Sequence, residues 1–211
     1  MESIKKILGS IFARISVTHK WQQDFLFEMF ELVFSIQGRV NYSNLARYSK
    51  YNESTFRRNF KKFFDWLNFN LQIMYLAGVR LSDSFSEVIA VVDCSYISKA
   101  GVAGRNKKGL EVSLLSLVDV KSAKAWALDI VQTPGGLSRK EGTNGEYTRI
   151  DFYLEQILDL LPKLMTISYF VADGYYAKTK VFNTLSQQGK FLITKLRPDA
   201  NLRFLYKGSH P

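Results

Sequence analysis

Apolar residues change their spacing along the chain, and this change limits the fold more than any other feature of the sequence. Up to about residue 80 they recur every three or four positions, as in Leu26, Phe30 and Val33, which is the period of an amphipathic helix. From residue 88 onward they form short β-branched runs, such as VIAVVD at 88–93 and YFVAD at 169–173. The sequence therefore predicts a helical region followed by an α/β region.

Residues 1–82 are predicted to form an all-α domain. Residues 1–15 place apolar side chains at helical spacing, which favours a helix docked on a core over one that lies on a membrane surface. Two shorter helices, Ser43–Tyr48 and Glu53–Leu67, have the spacing of a helix-turn-helix motif, and Asn52 is a suitable N-cap for the second.

The second helix of this pair separates aromatic from basic side chains. Its apolar stripe would consist of Phe56, Phe60, Phe63 and Phe64, and the remaining surface carries Arg57, Arg58, Lys61 and Lys62. Two interpretations stay open. The basic face contacts DNA as a recognition helix does, or it is the solvated surface of an ordinary bundle helix.

The α/β region is predicted to form a mixed sheet. Lys121, Ser122 and Ala123 would join its second and third strands in an antiparallel hairpin. The order of elements, β-β-β-α-β-α-β, favours an α/β fold with helices on the faces of the sheet, and the ribonuclease H-like arrangement is the candidate. Strands are expected at 88–93, 111–120, 124–133, 166–173 and 191–195, and helices at 148–161 and 177–187.

Charge and residue usage limit the partners of the chain. The net charge is +10, and residues 1–80 hold 12 Lys+Arg against 6 Asp+Glu, which indicates a polyanionic partner. No apolar run approaches the roughly 20 residues of a membrane-spanning helix, so nucleic acid is favoured over a membrane. Cys94 is the only cysteine, which excludes an internal disulfide and fits a reducing cytoplasm. With only two histidines, far apart, a metal site would depend on carboxylates.

Two aspartates directly follow buried-type strands, Asp93 after VIAVV and Asp173 after YFVA. Because α/β folds bind ligands at strand ends, the predicted topology would bring both carboxylates, partly desolvated, to one end of the sheet. Such a pair suits Mg²⁺, which takes oxygen ligands and retains water and substrate phosphates, and it would permit phosphodiester chemistry. On position alone, the simpler interpretation that both aspartates cap strands or turns is slightly favoured.

Three longer segments add information beyond position. They are DCSYISKAGVAG at 93–104, followed by GLEVSLLSLVDV and AWALDIVQTPG; YFVADGYYAKTKVFNTL at 169–185; and FLITKLRPDANLRFLY at 191–206. In this order they resemble the segments around the first and second catalytic aspartates, and the strand and loop after them, in the DDE transposases of bacterial insertion sequences. The resemblance covers roughly residues 88–206, and the helical front matches the position of the family's DNA-binding region.

The resemblance implies a ribonuclease H-like fold and metal-dependent DNA strand cleavage and strand transfer, with Asp93 and Asp173 as ligands of Mg²⁺ (or Mn²⁺). It implies double-stranded DNA at transposon ends as the partner, no membrane, and a bacterial cytoplasm with association to the nucleoid. It also allows a homodimer in a synaptic complex. Four further cations are interpreted either as phosphate neighbours or as solvated surface charge: Lys99, Lys195, Arg197 and Arg203.

The sequence departs from the family in one respect. The family's third acidic residue is a glutamate on a later helix, whereas the last glutamate here is Glu155 and the only acidic residue after Asp173 is Asp199. The expectation is therefore the front part of a transposase, with an incomplete catalytic domain at 83–211 and weak cleavage by itself. Two alternatives stay open: a non-catalytic DNA-binding protein or truncated regulator derived from a transposase, and a structure-specific nuclease of the same fold.

Overall fold

Two compact units make up the chain, Met1–Val79 and Arg80–Pro211. The structure, a computed structural model, describes residues 2–15, 19–81, 87–98, 109–137 and 147–196. No helix within these ranges is both long enough and apolar enough to cross a membrane.

All regular secondary structure among the described residues of the first unit is helical. Three of its helices begin at a polar side chain that accepts a backbone N–H, because the first turn of a helix leaves such donors free. Asn41 accepts from the amide of Asn44 at 2.8 Å, Asn52 from Thr55 at 2.8 Å, and Asp65 from Asn68 at 3.0 Å. The helices are α1 (Glu2–Phe12), α2 (Lys20–Ser35), α3 (Tyr42–Arg47), α4 (Glu53–Asn59) and α5 (Trp66–Leu76).

The core of this unit draws side chains from each of these helices. Phe56 of α4 is completely buried, and its ring lies 5.5 Å from that of Phe25 on α2. On α1, Leu8, Ile11 and Phe12 are buried in the same cluster. The prediction that the first helix docks on a core is therefore confirmed.

The predicted helix over 53–67 is wrong in its length. α4 ends at Asn59, and α5 begins at Trp66 after a turn. The side chain of Asp65 caps the amide of Asn68, so it starts a new helix instead of continuing the old one.

The break also divides the predicted aromatic stripe. Phe56 and Phe64 are buried, whereas Phe60 and Phe63 are exposed. Lys61 and Lys62, predicted on the outer face of the helix, lie in the turn after it. The stripe fails because helical spacing cannot place side chains once the backbone leaves the helix.

The second unit follows the predicted order of strands and helices. The predicted hairpin is confirmed, because the second and third strands pair antiparallel and the Asp119 carboxylate accepts hydrogen bonds from the Lys121 amide and the Ser122 hydroxyl in the turn. The elements are β1 (Val88–Ser98), β2 (Gly109–Asp119), β3 (Lys124–Gln132), α6 (Arg149–Leu160), β4 (Tyr169–Ala172), α7 (Thr179–Gln187) and β5 (Phe191–Thr194).

Within the described residues, the five strands form one sheet in the order β3-β2-β1-β4-β5. β1 pairs antiparallel with β2 and parallel with β4, and β4 pairs parallel with β5. The predicted fold class is confirmed: a mixed α/β sheet of the ribonuclease H-like type, preceded by a helical region.

The helices of this unit cover one face of the sheet. Ala90 and Val92 of β1 are buried on this face, and Tyr153 of α6 is fully buried. On the opposite face Tyr169 and Phe191 are exposed. The β3-to-β4 and β4-to-β5 crossovers, which contain α6 and α7, run in the same direction across the sheet. Right-handed crossovers in one direction place their helices on one face.

Candidate functional site

The parallel pairing of β1 with β4 brings the two predicted aspartates side by side. Val92 pairs with Ala172, so the next residues in this register are Asp93 and Asp173. Neighbouring strands lie about 4.8 Å apart, and the two Cα atoms are therefore separated by roughly that distance. β1 itself continues to Ser98, so Asp93 does not end its strand, as the sequence suggested, but lies where the pairing with β4 stops.

Both aspartates project from the sheet face that α6 and α7 leave uncovered. Side chains alternate along a strand, and Val92, next to Asp93, is buried on the helical face. Asp93 and Asp173 are both exposed to solvent. The expectation that these carboxylates are partly desolvated is wrong, because the helices that would bury them lie on the other face.

Each aspartate uses one carboxylate oxygen in a local hydrogen bond. Asp173 Oδ1 accepts from the backbone amide of Tyr175 at 2.9 Å, and Asp93 Oδ2 accepts from the Ser95 hydroxyl at 3.1 Å. The second oxygen of each carboxylate has no hydrogen-bond donor among the described residues. These two oxygens are free to bind a cation.

Lys195 continues the same row of exposed side chains. Ala172 pairs with Thr194, so the next pair in the register of β4 and β5 is Asp173 and Lys195. The Thr194 hydroxyl donates to the Asp173 carbonyl at 2.6 Å and joins the two strand ends. Lys195 is exposed. A cation therefore borders the carboxylate pair, at a position where a phosphate neighbour was predicted.

The predicted DNA-binding residues of the first unit differ in their contacts. Arg57 is exposed, but its Nε donates to Glu53 at 2.9 Å, so this guanidinium already has an intramolecular ion-pair partner. Arg58 and Lys61 are exposed, and no described residue forms an ion pair with either. Lys62 Nζ lies 3.7 Å from the ring centroid of Trp21.

Four residues considered from the sequence lie outside the described ranges. They are Lys99, Arg197, Arg203 and Asp199.

Cys94 faces the helical side of the sheet, directly behind the aspartates. It is half-buried and pairs across the sheet with Ser113 of β2. Burial, together with the negative charges of Asp173, Glu111 and Asp93, raises the pKa of the Cys94 thiol to about 11. The thiol is therefore protonated and weakly nucleophilic at neutral pH.

We expect iodoacetamide to alkylate Cys94 at pH 8 at least about 10-fold more slowly than a free thiol, because little thiolate forms until the pH approaches 11. Asp173→Asn removes one neighbouring negative charge and should accelerate the reaction at pH 8. Asp159→Asn, which changes an exposed carboxylate on α6, serves as the matched control and should leave the rate unchanged. Mass spectrometry of timed samples measures the rates, and equal rates in all three proteins would place Asp173 away from Cys94.

Sequence reasoning missed a buried polar network on the helical face. Glu111 of β2 forms an ion pair with Arg149 of α6, and their side chains are only 16% and 19% exposed. The Tyr153 hydroxyl donates to the other oxygen of Glu111, and Thr133 Oγ1 lies 3.0 Å from the same hydroxyl. Burial raises the pKa of Tyr153, and its hydrogen bond to Glu111 raises it further, so the phenol stays protonated as a donor.

A sequence signal for this network was present. Glu111 alternates in phase with Ser113 and Leu115, which both face the core, and a charge at such a position needs a buried partner.

The donor set of the aspartate pair fits a hard divalent cation. Among the described residues, no group of three or more His, Cys, Asp or Glu side chains is arranged to hold a metal ion. Two carboxylates with free oxygens match the way Mg²⁺ binds proteins, since it retains water and phosphate oxygens in the rest of its shell. The pair therefore suits an ion shared with a phosphate-bearing ligand better than an ion enclosed by protein.

Comparisons with known proteins give only distant similarities to solved structures. No protein-family model matches the sequence, and no curated protein matches it significantly. Solved structures similar to the chain include endonuclease V of Ciona intestinalis in complex with a 24mer DNA, with a TM-score of 0.34 and 14% identity over 57% of this chain. The nuclease domain of 3′hExo, a DEDDh family member bound to rAMP, has a TM-score of 0.23 and 16% identity over 50% of this chain. A 3′-exonuclease that recognises the histone mRNA stem-loop has a TM-score of 0.23 and 15% identity over 88% of this chain.

The chain spans only part of these proteins: 52% of the endonuclease V chain and 61% and 62% of the two exonuclease chains. All three are nucleases. At these identities and TM-scores, the likeness does not fix an activity for this chain.

Proposed function

We propose that this protein acts on DNA as a metal-dependent enzyme of the DDE transposase type, and that it cleaves DNA only weakly by itself. The observation that carries the proposal is the register of β1 and β4, which makes Asp93 and Asp173 neighbours on an exposed sheet face. The resemblance of the segments around both aspartates to transposases narrows the chemistry to strand cleavage and strand transfer.

Asp93 and Asp173 are the residues that would hold Mg²⁺ or Mn²⁺. A divalent ion bound there supplies activation of the attacking water or 3′-hydroxyl and stabilisation of the leaving oxygen. The Ser95 hydroxyl and the Tyr175 amide orient the two carboxylates by holding one oxygen of each. Lys195, next to Asp173, attracts the phosphate that is to be cleaved.

The helical unit supplies affinity for double-stranded DNA, at the ends of an insertion element. Arg58 and Lys61 are the cations best placed for phosphate contacts, since neither is paired within the described residues. The cellular setting proposed is a bacterial cytoplasm, at the nucleoid, with two copies of the chain in a synaptic complex.

The protein should convert supercoiled plasmid to nicked circles in Mg²⁺ or Mn²⁺, and excess EDTA should stop this conversion completely, because the carboxylate pair has no other means of activating a water. DNA binding by mobility shift should persist in EDTA, since contacts of Arg and Lys with phosphates need no metal. Agarose gels of timed reactions measure nicking.

Other outcomes of this experiment decide between the alternatives. Binding without nicking in any divalent ion overturns the catalytic proposal and supports a non-catalytic DNA-binding protein or regulator. Nicking with no preference for the DNA that flanks the protein's own coding sequence supports a structure-specific nuclease of the same fold instead of a transposase.

A further inference from the structure

The first unit has a phenylalanine side chain that is almost fully exposed to solvent. Phe63 lies in the turn between α4 and α5, and its side chain is 81% exposed. Burying a phenylalanine is worth about 1.5–3 kcal/mol, so its display to water is unfavourable unless another molecule covers it.

The backbone around Phe63 is held in place from both sides. The side-chain amide of Gln22, itself buried, donates to the Phe63 carbonyl at 2.8 Å. The next residue, Phe64, is buried with its ring 4.6 Å from that of Trp66. Asp65 then caps α5. The ring is therefore presented on a fixed turn, which reduces the entropy lost when a partner covers it.

Basic residues precede this phenylalanine closely in the sequence. Lys61 and Lys62 directly precede it, and Arg58 lies one turn earlier on α4. Arg58 and Lys61 have no ion-pair partner in the part of the chain that the structure describes, and Lys62 lies over the ring of Trp21. The nearby carboxylate of Glu53 is already paired with Arg57. An exposed ring beside unpaired cations is complementary to a partner with aromatic faces and negative charge.

We infer that Phe63 stacks on an unstacked base of DNA, while Arg58, Lys61 and Lys62 contact the adjacent phosphates. Stacking on aromatic side chains is tolerant of base identity, because every base has an aromatic face. The inference takes DNA as the partner from the proposed function, and it extends that function by assigning the turn to DNA with a kinked or single-stranded segment.

Fluorescence anisotropy with the full-length Asp173→Asn protein in EDTA tests this inference without any cleavage. Phe63→Ala should weaken binding about 5- to 150-fold with an unchanged dependence on salt. Arg58→Ala should weaken binding and lower the slope of log affinity against log salt by about 1. A 2-aminopurine placed in the oligonucleotide, duplex or single-stranded, should change its emission on binding to the parent protein but not to Phe63→Ala.

Phe34→Ala is the matched control, because Phe34 is also an exposed phenylalanine of this unit. It lies 12 residues beyond Gln22 on α2, or roughly 18 Å along the helix, and its truncation should leave DNA affinity unchanged. Thermal midpoints of both variants should equal that of the parent.

Three results would overturn the inference. The first is a DNA affinity of Phe63→Ala within twofold of the parent, and the second is an equal loss of DNA affinity in Phe34→Ala. The third is that Phe63→Ala no longer binds phosphatidylglycerol vesicles but still binds DNA like the parent. Failure of nicking alone leaves the stacking result unaffected, and loss of stacking leaves the nicking result unaffected, so the two proposals fail separately.

Discussion

Asp173→Asn and Asp93→Asn are each expected to lower the rate of metal-dependent DNA nicking by at least about 100-fold. Loss of a group that merely orients a metal ligand typically costs 10- to 100-fold, and a direct ligand should cost more. Because the two carboxylates would act as one unit, the double variant should be no slower than the slower single variant. Initial rates of plasmid nicking across a range of Mn²⁺ concentrations measure both effects.

Both substitutions are chosen to preserve the fold. An asparagine at 173 can still accept a hydrogen bond from the Tyr175 amide, and an asparagine at 93 can still accept one from the Ser95 hydroxyl. Both positions are exposed, so the thermal midpoint should not change. Asp159→Asn on α6 is the control for removal of an exposed negative charge and should nick at the parent rate. Parent-like nicking by Asp173→Asn, with parent-like metal dependence, would remove the carboxylate pair from the chemistry.

The order of strands and helices along the chain could be predicted because local patterns specify it. The runs at 88–93 and 169–173 are short and rich in β-branched or aromatic residues, which favours strands. A three-residue connection at 121–123 permits only an antiparallel hairpin. Once those strands are fixed, right-handed crossovers leave few topologies. The structure has the same sequence of elements.

Boundaries were less predictable, because they depend on partners as well as on pattern. Cys94–Ser98 extends β1 by pairing with β2 at 109–113, although this segment lacks the apolar run that marks the start of the strand. In the first unit the apolar spacing continues past Asn59, and only the capping of α5 by Asp65 shows that the helix has ended.

In the candidate site, too, some features follow from the sequence pattern and others depend on tertiary structure. The adjacency of Asp93 and Asp173 follows from topology, which the sequence predicts. Their exposure depends on which face the helices cover, and this is decided by the direction of two crossovers rather than by either aspartate's neighbours in sequence. The position of Lys195 beside Asp173 depends in turn on the register of β5, which no local pattern specifies.

The network behind the site makes the largest stability prediction. Arg149→Met should lower the free energy of unfolding of the second unit by about 3–5 kcal/mol, because it removes the guanidinium that pairs with the largely buried Glu111. The thermal midpoint of this unit should fall by roughly 10–20 °C. Tyr153 would still donate to Glu111, but a neutral hydroxyl interacts more weakly with a carboxylate than a guanidinium does. Calorimetric unfolding measures the change.

Two further variants test whether the loss of stability comes from the burial of the Glu111–Arg149 ion pair or from the loss of any ion pair. Lys180→Met breaks the ion pair with Asp151, but the lysine is 52% exposed, so the cost should be at most about 1 kcal/mol. Glu111→Gln combined with Arg149→Met removes both charges and should recover part of the stability lost in Arg149→Met. An Arg149→Met protein no less stable than Lys180→Met would mean that apolar contacts alone hold α6 against the sheet.

Because this network lies on the opposite face from Asp93 and Asp173, nicking by the folded fraction of Arg149→Met should stay close to the parent rate.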